Sequence, residues 1–378
     1  MRPIQMVDLQ SQYHKIKDQI DKSILDVVES SAYINGPEVK QFQEDLENYL
    51  NVKHVIPCAN GTDALQIAMM GLGLKPGDEV ITVDFTFAAT VEVIALLQLT
   101  PVLIDVDHET FNMDIDALKR AITPKTKAIV PVHLFGQCAN MEAILDIADE
   151  HNLYVIEDTA QAIGADYTFS DGITKKAGTI GDVGTTSFFP SKNLGCYGDG
   201  GAIFTNDDNL AYVLRGIVNH GMYKRYYHDV IGVNSRLDSI QAAILRVKLP
   251  HLDSYCDARR KAAEYYNQAF AGNEHIITPI TSTFTSHVFH QYTIKLINAD
   301  RDALHKHLLD NNIPCAIYYP VPLHSQKAYT DERYNENDFK VTNQLIQSVL
   351  SLPMHTEFDE DQLEFITSTV LNFVNKKQ

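Results

Sequence analysis

The sequence HVIPCANGTDAL occupies residues 54–65 and predicts a short apolar strand, a glycine-containing turn and the start of a helix. We place the strand at His54–Cys58, the turn at Ala59–Thr62 and the helix at Asp63–Gly71. The alternation continues with strands at Glu79–Val83, Val102–Asp105, Ala128–Val132 and Leu153–Glu157, separated by helices at Ala88–Gln98, Ile115–Ala121 and Met141–His151. Alternating strands and helices indicate right-handed crossovers and a mostly parallel sheet covered on both faces, which is an α/β fold.

In the second half of the chain, strands and helices no longer alternate regularly. Its predicted elements are strands at Ser187–Phe189 and Ala202–Thr205, helices at Asp207–Val218, Leu237–Lys248 and Leu252–Phe270, a strand at Gln291–Leu296 and a helix at Arg301–Asn311. Pro250 stops the second of these helices, so we place a domain boundary there. Residues 1–249 would form a large domain with the central sheet, and residues 250–378 a smaller α+β domain.

The composition excludes several classes of function. The 378 residues include 31 basic and 49 acidic side chains, for a formal net charge of −18. So acidic a chain is a poor partner for nucleic acid or an anionic membrane surface, and no apolar run is long enough to span a bilayer. The first residues lack the apolar core of a signal peptide. Five scattered cysteines without a C-x-x-C pair predict reduced thiols in the cytoplasm, rather than a disulfide framework or a zinc site.

Residues 187–202, SFFPSKNLGCYGDGGA, place Lys192 between aromatic residues and four glycines. A lysine among apolar neighbours is partly desolvated, which lowers its pKa and frees its amine as a nucleophile. Such an amine can form an imine with a carbonyl cofactor. The alternative is a solvated lysine on a glycine-rich turn.

Two further groups follow predicted strands, where open α/β sheets bind ligands. Gly61 and Thr62 open a helix, whose free N–H groups and dipole suit a phosphate, and the Ser187 hydroxyl could join them. Thr62 could instead be an ordinary N-cap. Asp158 ends an apolar strand and could hold a proton on a heteroaromatic ring nitrogen, or could cap the next helix.

An aromatic side chain completes the pattern. Phe87 follows the strand Glu79–Val83 and could stack on a flat ring, although core packing would also explain it. A phosphate cup, a carboxylate for a ring nitrogen, a stacking aromatic and an apolar lysine together predict a site for pyridoxal 5′-phosphate (PLP).

These motifs resemble the DegT/DnrJ/EryC1/StrS family of nucleotide-sugar aminotransferases, which are fold type I PLP-dependent transferases resembling aspartate aminotransferase. The resemblance runs nearly end to end, through INGPE (34–38), CANGTDAL (58–65), VIEDTAQ (155–161), the Lys192 stretch, GVNSRLD (232–238) and SLPMH (351–355). Within the family, the Lys192 stretch and RYYH (225–228) are most similar to the enzymes that aminate C3 of UDP-2-acetamido-2-deoxy-3-oxo-D-glucuronate. The resemblance implies a seven-stranded, mostly parallel sheet.

The resemblance also implies roles for residues at matching positions. Lys192 would bind the cofactor covalently and Asp158 would pair with its pyridinium. Gln161 would face the ring hydroxyl, while Gly61, Thr62 and Ser187 would hold the phosphate. Asn234 would reach the phosphate from a partner subunit, and Arg236 would meet a carboxylate of the sugar or the amino donor, so a homodimer would share its active sites. Tyr318 and Tyr319 match a substrate-side segment, although relatives often have histidine where Tyr318 stands.

The implied reaction moves the amino group of L-glutamate to C3 of a 3-keto UDP-N-acetyl sugar for surface polysaccharide such as lipopolysaccharide O-antigen, with pyridoxamine 5′-phosphate (PMP) formed in the half-reaction. Arg225 and Lys224 are candidate contacts for the UDP diphosphate, and His220 is a further candidate substrate contact. His220 and His228 lack a third ligand, so we predict no metal site. Amination at C4 of a 4-keto sugar, a PLP-dependent dehydratase and a non-enzymatic PLP-binding module remain alternatives. In the dehydratases the resemblance implies histidine in place of Lys192.

Overall fold

The computed structural model describes residues 2–376. Its helices are α1 Leu9–Ser30, α2 Pro37–Leu50, α3 Gly61–Gly71, α4 Ala89–Leu96, α5 Ile115–Ala121, α6 Met141–His151, α7 Asp208–Ile217, α8 Ser239–Lys248, α9 Leu252–Phe270, α10 Arg301–Asp310, α11 Lys340–Ser348 and α12 Glu360–Val374. Its strands are β1 His54–Cys58, β2 Glu79–Val83, β3 Thr100–Ile104, β4 Thr126–Val130, β5 Tyr154–Asp158, β6 Asp166–Thr168, β7 Thr174–Lys176, β8 Val183–Ser187, β9 Gly201–Thr205, β10 Met222–Lys224, β11 Tyr227–His228, β12 Ile276–Ile277, β13 Tyr292–Leu296 and β14 Val349–Leu352.

A seven-stranded sheet, in the order β1-β9-β8-β5-β4-β2-β3, forms the centre of the molecule. The pairs β2–β3, β2–β4, β4–β5 and β5–β8 are parallel, and β9 runs antiparallel to both of its neighbours. Six strands therefore end at one edge of the sheet, where β9 begins. This arrangement confirms the predicted α/β class and the mostly parallel sheet.

Both faces of the sheet are buried under helices. Neighbouring residues of one strand pack into different apolar clusters, because side chains alternate between the faces. Val155 of β5, for example, packs in the cluster that includes Phe42 of α2, whereas Ile156 packs with Leu65 of α3. A strand that is buried on both sides has few polar residues, which explains why most strands of this sheet could be predicted from the sequence, β8 being the exception.

The strand that precedes Lys192 differs from the prediction of Ser187–Phe189. It is β8, Val183–Ser187, and its last ladder position pairs Ser187 with Gly201. The chain then turns, because the Phe188 carbonyl accepts a hydrogen bond from the Cys196 N–H at 2.8 Å. Phe188 lies beyond the last ladder pair, although its N–H still donates to the Gly200 carbonyl at 2.7 Å, and its buried side chain packs against Phe42. Its apolar character reflects this packing, which a strand pattern cannot distinguish from sheet pairing.

A second apolar core lies around the antiparallel sheet β12-β13-β14. Helices α9, α10 and α12 contribute to it, and Ile4 from the beginning of the chain packs in the same cluster. The Met354 N–H donates to the Met6 carbonyl at 3.1 Å, which ties the two ends of the chain together. The division between residues 249 and 250 stays a prediction. Within residues 2–376, no helix combines the length and the apolar character needed to cross a membrane.

Candidate active site

A cavity of about 650 Å³ opens at the edge of the sheet where the parallel strands end. Nine of the predicted site residues line it: Gly61, Thr62, Phe87, Asp158, Gln161, Ser187, Lys192, Tyr318 and Tyr319. They come from the last residues of β5 and β8, from residues that follow β1, β2, β5 and β8, and from a segment beyond α10. Convergence at the carboxyl ends of parallel strands is the expected position of a ligand site in this kind of sheet.

The first turn of α3 offers hydrogen-bond donors to this cavity. Asn60 is the N-cap, and its side chain accepts from the Asp63 N–H at 2.8 Å. The helix therefore begins at Gly61, two residues earlier than predicted, and Thr62 is not the cap. The N–H groups of Gly61 and Thr62 have no acceptor within the helix, so they are available to an anion.

Close packing explains why glycine occupies position 61. A Cβ atom built there would lie 2.7 Å from the Ser187 Cβ. At this distance, one of the two backbone segments would have to move. Gly201 is similar, since a Cβ there would lie 2.4 Å from the Asn60 carbonyl oxygen. The start of α3, the end of β8 and the start of β9 are thus in backbone contact, and they place the Ser187 hydroxyl beside the helix N-terminus. This cradle fits a phosphate group.

Asp158 is the last residue of β5 and is only 6% exposed. Its Oδ2 accepts from the Thr90 hydroxyl at 2.9 Å and its Oδ1 from the Ala160 N–H at 3.1 Å. A tight turn rather than an α-helix follows it, so it does not cap a helix. Each oxygen has one donor, which fixes the orientation of the carboxylate and leaves acceptor capacity for a ligand.

Lys192 lies in the wall of the same cavity. The turn that carries it is closed by a hydrogen bond from its N–H to the Phe189 carbonyl at 2.8 Å. Burial lowers the pKa of the Lys192 amine to about 8, while the Asp158 carboxylate acts in the opposite direction. The structure therefore places a partly desolvated amine near a fixed carboxylate, as the imine chemistry requires.

Aromatic rings form the opposite wall. Phe87 is 59% exposed, so it is not a core residue, and its ring centroid lies 6.5 Å from that of Tyr319. The Tyr319 hydroxyl accepts from Gln161 Nε2 at 3.2 Å, and Gln161 Oε1 accepts from the Phe135 N–H at 2.7 Å. Burial raises the pKa of Tyr319, which therefore remains neutral at physiological pH.

Sequence reasoning missed Thr90 and His290. Thr90 lies three residues after Phe87, and its position in the first turn of a helix after a strand was an available signal. His290 lines the cavity and is buried, and its Nδ1 has no hydrogen-bond partner among residues 2–376. Burial, with Lys192 and Arg259, holds the pKa of His290 well below its usual range. No local motif indicates this histidine, because it enters the site from the residues just before β13.

Asn234 and Arg236 do not line the cavity of their own chain. Asn234 is exposed, and Arg236 is half-buried. The intervening Ser235 is buried, and its hydroxyl accepts from the Ala59 N–H at 3.0 Å, which places the segment beside the β1–α3 turn. Asp238 precedes α8 but makes no side-chain bond to its N-terminus.

Arg225 and His220 also lie outside the cavity. Arg225 is exposed in the turn of the β10–β11 hairpin, with its guanidinium carbon 5.0 Å from the centre of the Tyr226 ring. Lys224 stands over the Tyr227 ring at 4.6 Å. The His220 carbonyl accepts from His228 Nδ1 at 2.8 Å. Their proposed contacts with substrate remain predictions.

The lowered pKa of Lys192 gives a testable pH dependence. In cofactor-free protein, we expect reductive alkylation of Lys192 by a small aldehyde to rise with a midpoint near pH 8, because burial disfavours the ammonium form. Asp158→Asn should move the midpoint to lower pH, since the lost carboxylate favours the charged amine. Peptide mass spectrometry would follow the modification, with the exposed Lys40 as an internal reference. A midpoint near the ordinary 10.5, or one unmoved by Asp158→Asn, would contradict this account.

Known proteins resemble this chain over nearly its whole length. The "Pleiotropic regulatory protein" of Geobacillus stearothermophilus is 46% identical over 372 residues, covering 98% of each chain. UDP-2-acetamido-2-deoxy-3-oxo-D-glucuronate aminotransferase of Pseudomonas aeruginosa is 45% identical, covering 98% of this chain and all of the relative. UDP-N-acetyl-3-dehydro-alpha-D-glucosamine 3-aminotransferase of Acidithiobacillus ferrooxidans is 44% identical, covering 97% of each.

Solved structures agree in fold. A DegT DnrJ EryC1 StrS aminotransferase from Brucella abortus superposes with a TM-score of 0.93 at 41% identity, covering 99% of this chain and all of that one. NtdA from Bacillus subtilis, solved with bound cofactor PMP, has a TM-score of 0.88 at 30% identity, covering 96% of this chain and 82% of that one. The model of the DegT/DnrJ/EryC1/StrS aminotransferase family matches residues 14–371. The chain belongs to this family, and its fold is that of the fold type I PLP-dependent transferases.

Proposed function

We propose that this chain is a PLP-dependent aminotransferase that moves the amino group of L-glutamate to C3 of a 3-keto UDP-N-acetyl sugar. The specific acceptor we propose is UDP-2-acetamido-2-deoxy-3-oxo-D-glucuronate. The observation that carries the proposal is the presence of Lys192, Asp158 and the Gly61–Ser187 cradle in one cavity. The P. aeruginosa and A. ferrooxidans relatives, both named for amination of 3-oxo UDP-sugars, supply the substrate class.

The residues of the cavity fit the cofactor. When bound, PLP supplies an aldehyde that captures amines and a ring that withdraws electrons from the carbon undergoing proton transfer. The N–H groups of Gly61 and Thr62 and the Ser187 hydroxyl would hold its phosphate. Asp158, oriented by Thr90, would keep a proton on the ring nitrogen through a charge-assisted hydrogen bond. Phe87 would contact the ring face.

Lys192 would perform two tasks in this site. Its neutral amine is the nucleophile that binds the cofactor aldehyde, and a pKa of about 8 makes this form accessible near neutral pH. Once displaced by glutamate, the amine would remove the proton from the Cα atom of the amino acid. In the second half of the reaction, a proton would return to C3 of the sugar. The products are 2-oxoglutarate and a 3-amino sugar, so nitrogen and electrons balance.

We also propose that the enzyme acts as a homodimer with shared active sites. The charged residues lining the cavity are Asp63, Asp158, Asp199 and Lys192, so carboxylates outnumber cations where anionic ligands must bind. A second copy could supply Arg236 and Asn234, which lie beside the β1–α3 turn but outside their own cavity. The segment before them exposes Tyr226 by 75% and Ile231 by 87%, which suits contact with another subunit.

The setting we propose is the cytoplasm, in the synthesis of an amino sugar for lipopolysaccharide O-antigen or a related surface polysaccharide. The five cysteines form no disulfide within residues 2–376, which suits a reducing compartment. The regulatory name of the G. stearothermophilus relative is the observation behind a second candidate, a PLP-binding regulatory module. Lys192 and Asp158 in an open cavity favour catalysis over that function. Lys192 also argues against a dehydratase.

The substrate proposal can be tested directly. Purified enzyme with L-glutamate and a panel of 3-keto and 4-keto nucleotide sugars should form 2-oxoglutarate and a 3-amino UDP-sugar, identified by mass and NMR. Lys192→Ala should abolish product, and Lys40→Ala should leave it unchanged, because Lys40 is exposed on α2. Amination of the 4-keto sugars alone would replace this proposal with the C4 alternative.

Sharing of the sites can be tested by mixing inactive subunits. Lys192→Ala and Asn234→Ala proteins, co-refolded or co-expressed, should regain activity because half of the sites in a mixed dimer then contain both native residues. Lys192→Ala mixed with Asp158→Asn is the matched control, since both residues line the same cavity and no native site can form. If the first mixture is no more active than the Lys192→Ala and Asn234→Ala proteins measured separately and added together, the sites are not shared.

A further inference from the structure

A buried histidine joins the aromatic wall of the cavity to the end of β2. His324 is only 6% exposed, and its backbone N–H donates to Asp84 Oδ1 at 2.7 Å. Its ring Nδ1 lies 2.7 Å from Asp84 Oδ2. Asp84 is itself fully buried and directly follows β2. One carboxylate therefore meets two nitrogen atoms of one histidine that is 240 positions away in the sequence.

The other ring nitrogen also faces a carboxylate. His324 Nε2 lies 3.2 Å from Glu336 Oε2, and that oxygen accepts from Asn343 Nδ2 at 2.9 Å. The imidazole ring is stacked on Phe339 with centroids 4.3 Å apart, so it cannot easily rotate away. An imidazole between two carboxylates makes both contacts only if the three groups hold two protons. If one proton is lost, a lone pair faces a carboxylate oxygen.

This cluster lies behind the substrate wall. Asp84 begins the segment that ends in Phe87, and His324 ends the segment that begins with Tyr318 and Tyr319. Phe87, Tyr318 and Tyr319 line the cavity, whereas Asp84 and His324 lie behind it. The two segments also touch directly, because the Phe85 and Tyr319 rings are 5.9 Å apart. Three contacts hold the end of the second segment to Asp84: the Leu323 N–H donates to the Asp84 carbonyl at 3.3 Å, the His324 backbone N–H donates to Oδ1, and the His324 ring meets Oδ2. The Gln161–Tyr319 hydrogen bond holds its other end.

The charges around His324 favour a protonated cluster. Asp84 faces it from the end of β2 and Glu336 from the short helix before α11. Asp105, after β3, binds the N–H groups that open α11 and adds negative charge near Asp84. Burial raises the pKa of Asp84 to about 6, although the His324 contacts act to lower it. Two carboxylates contact the imidazole and a third adds charge near Asp84, so the protons belong to the coupled group rather than to one residue.

We propose that the Asp84–His324–Glu336 cluster is a proton-dependent clasp in which His324 acts as a positioning residue, holding Tyr318 and Tyr319 in place for the amino acceptor. Loss of one proton from the cluster as pH rises removes one of the ring contacts and loosens residues 318–324 at the end of β2. The phosphate cradle and Lys192 lie on other elements, so loosening residues 318–324 leaves the proposed phosphate and lysine contacts of the cofactor in place, and the main effect falls on binding of the acceptor.

Amide hydrogen exchange of residues 318–324 in the holoenzyme tests the clasp without any substrate. Protection, corrected for intrinsic rates, should fall in the native enzyme as pH rises from neutral to alkaline. His324→Gln should show reduced protection at every pH, because its backbone bonds to Asp84 remain but the ring contacts are lost. Asp84→Asn should keep its protection at alkaline pH. The Asn side-chain oxygen can accept from the His324 backbone N–H, and the side-chain NH₂ can donate to Nδ1 of the neutral ring. His54→Gln, which alters a surface histidine paired with Asp208, is the control and should behave as the native enzyme does.

The kinetic arm rests on the proposed function and uses the same variants. His324→Gln should raise KM for the amino acceptor about tenfold, the expected effect of losing charge-assisted hydrogen bonds, with kcat and cofactor content little changed. For Asp84→Asn, the KM for the amino acceptor should be near the native value at neutral pH. Between neutral and alkaline pH it should rise less than the KM of the native enzyme does. Inactive native enzyme would contradict the proposed function but leave the exchange result interpretable.

Two results would overturn the clasp. Native protection in His324→Gln would show that the histidine does not hold the segment. Loss of protection in Asp84→Asn, equal to that in His324→Gln, would show that a titrating proton is not the link. If His324→Gln does not fold, Glu336→Gln serves instead, because it changes an exposed side chain and keeps an acceptor for Nε2–H. Protection should then be lost at lower pH than in the native enzyme, and an unchanged pH profile would overturn the proposal.

Discussion

Burial of the Lys192 amine and the nearby charge of Asp158 act on the same proton in opposite directions. Desolvation favours the neutral amine, while the carboxylate favours the ammonium, and the balance brings the pKa to about 8. A fully solvated lysine would be almost entirely protonated at neutral pH and would be a poor nucleophile. A site with a buried lysine but no carboxylate nearby would have no group to hold the ring nitrogen, the role proposed for Asp158. The site depends on both conditions at once.

The sheet supplies these conditions because its parallel strands end together. Asp158 ends β5, Ser187 ends β8 and the Asn60 cap follows β1, so groups from distant parts of the sequence meet without long connecting loops. Backbone contact between the start of α3 and the end of β8 leaves no room for a side chain at Gly61. Such contact makes the anion cradle rigid, and a rigid cradle requires little reorganisation when a phosphate binds.

Sequence reasoning succeeded where local pattern and sheet topology decide position. Asp158, Thr62 and Phe87 follow apolar strands, and parallel strands bring such residues to one edge. It failed where packing across the chain decides, as at Phe188, whose apolar side chain looked like part of a strand. It also missed His324, because nothing local indicates a contact with Asp84 across 240 positions. The positions of Asn234 and Arg236 relative to a partner subunit remain predictions for the same reason.

The pKa alone does not identify the reactive lysine. Burial also lowers the pKa of Lys248 to about 8, yet that amine is bonded to the Gly195 carbonyl inside the core, away from the cavity. Position in the cavity, rather than desolvation, should therefore decide which lysine holds the cofactor. Borohydride reduction of the holoenzyme, followed by peptide mass spectrometry, tests this most directly. We predict a single pyridoxyl group on Lys192, and a label on Lys248, or on no lysine, would contradict the account.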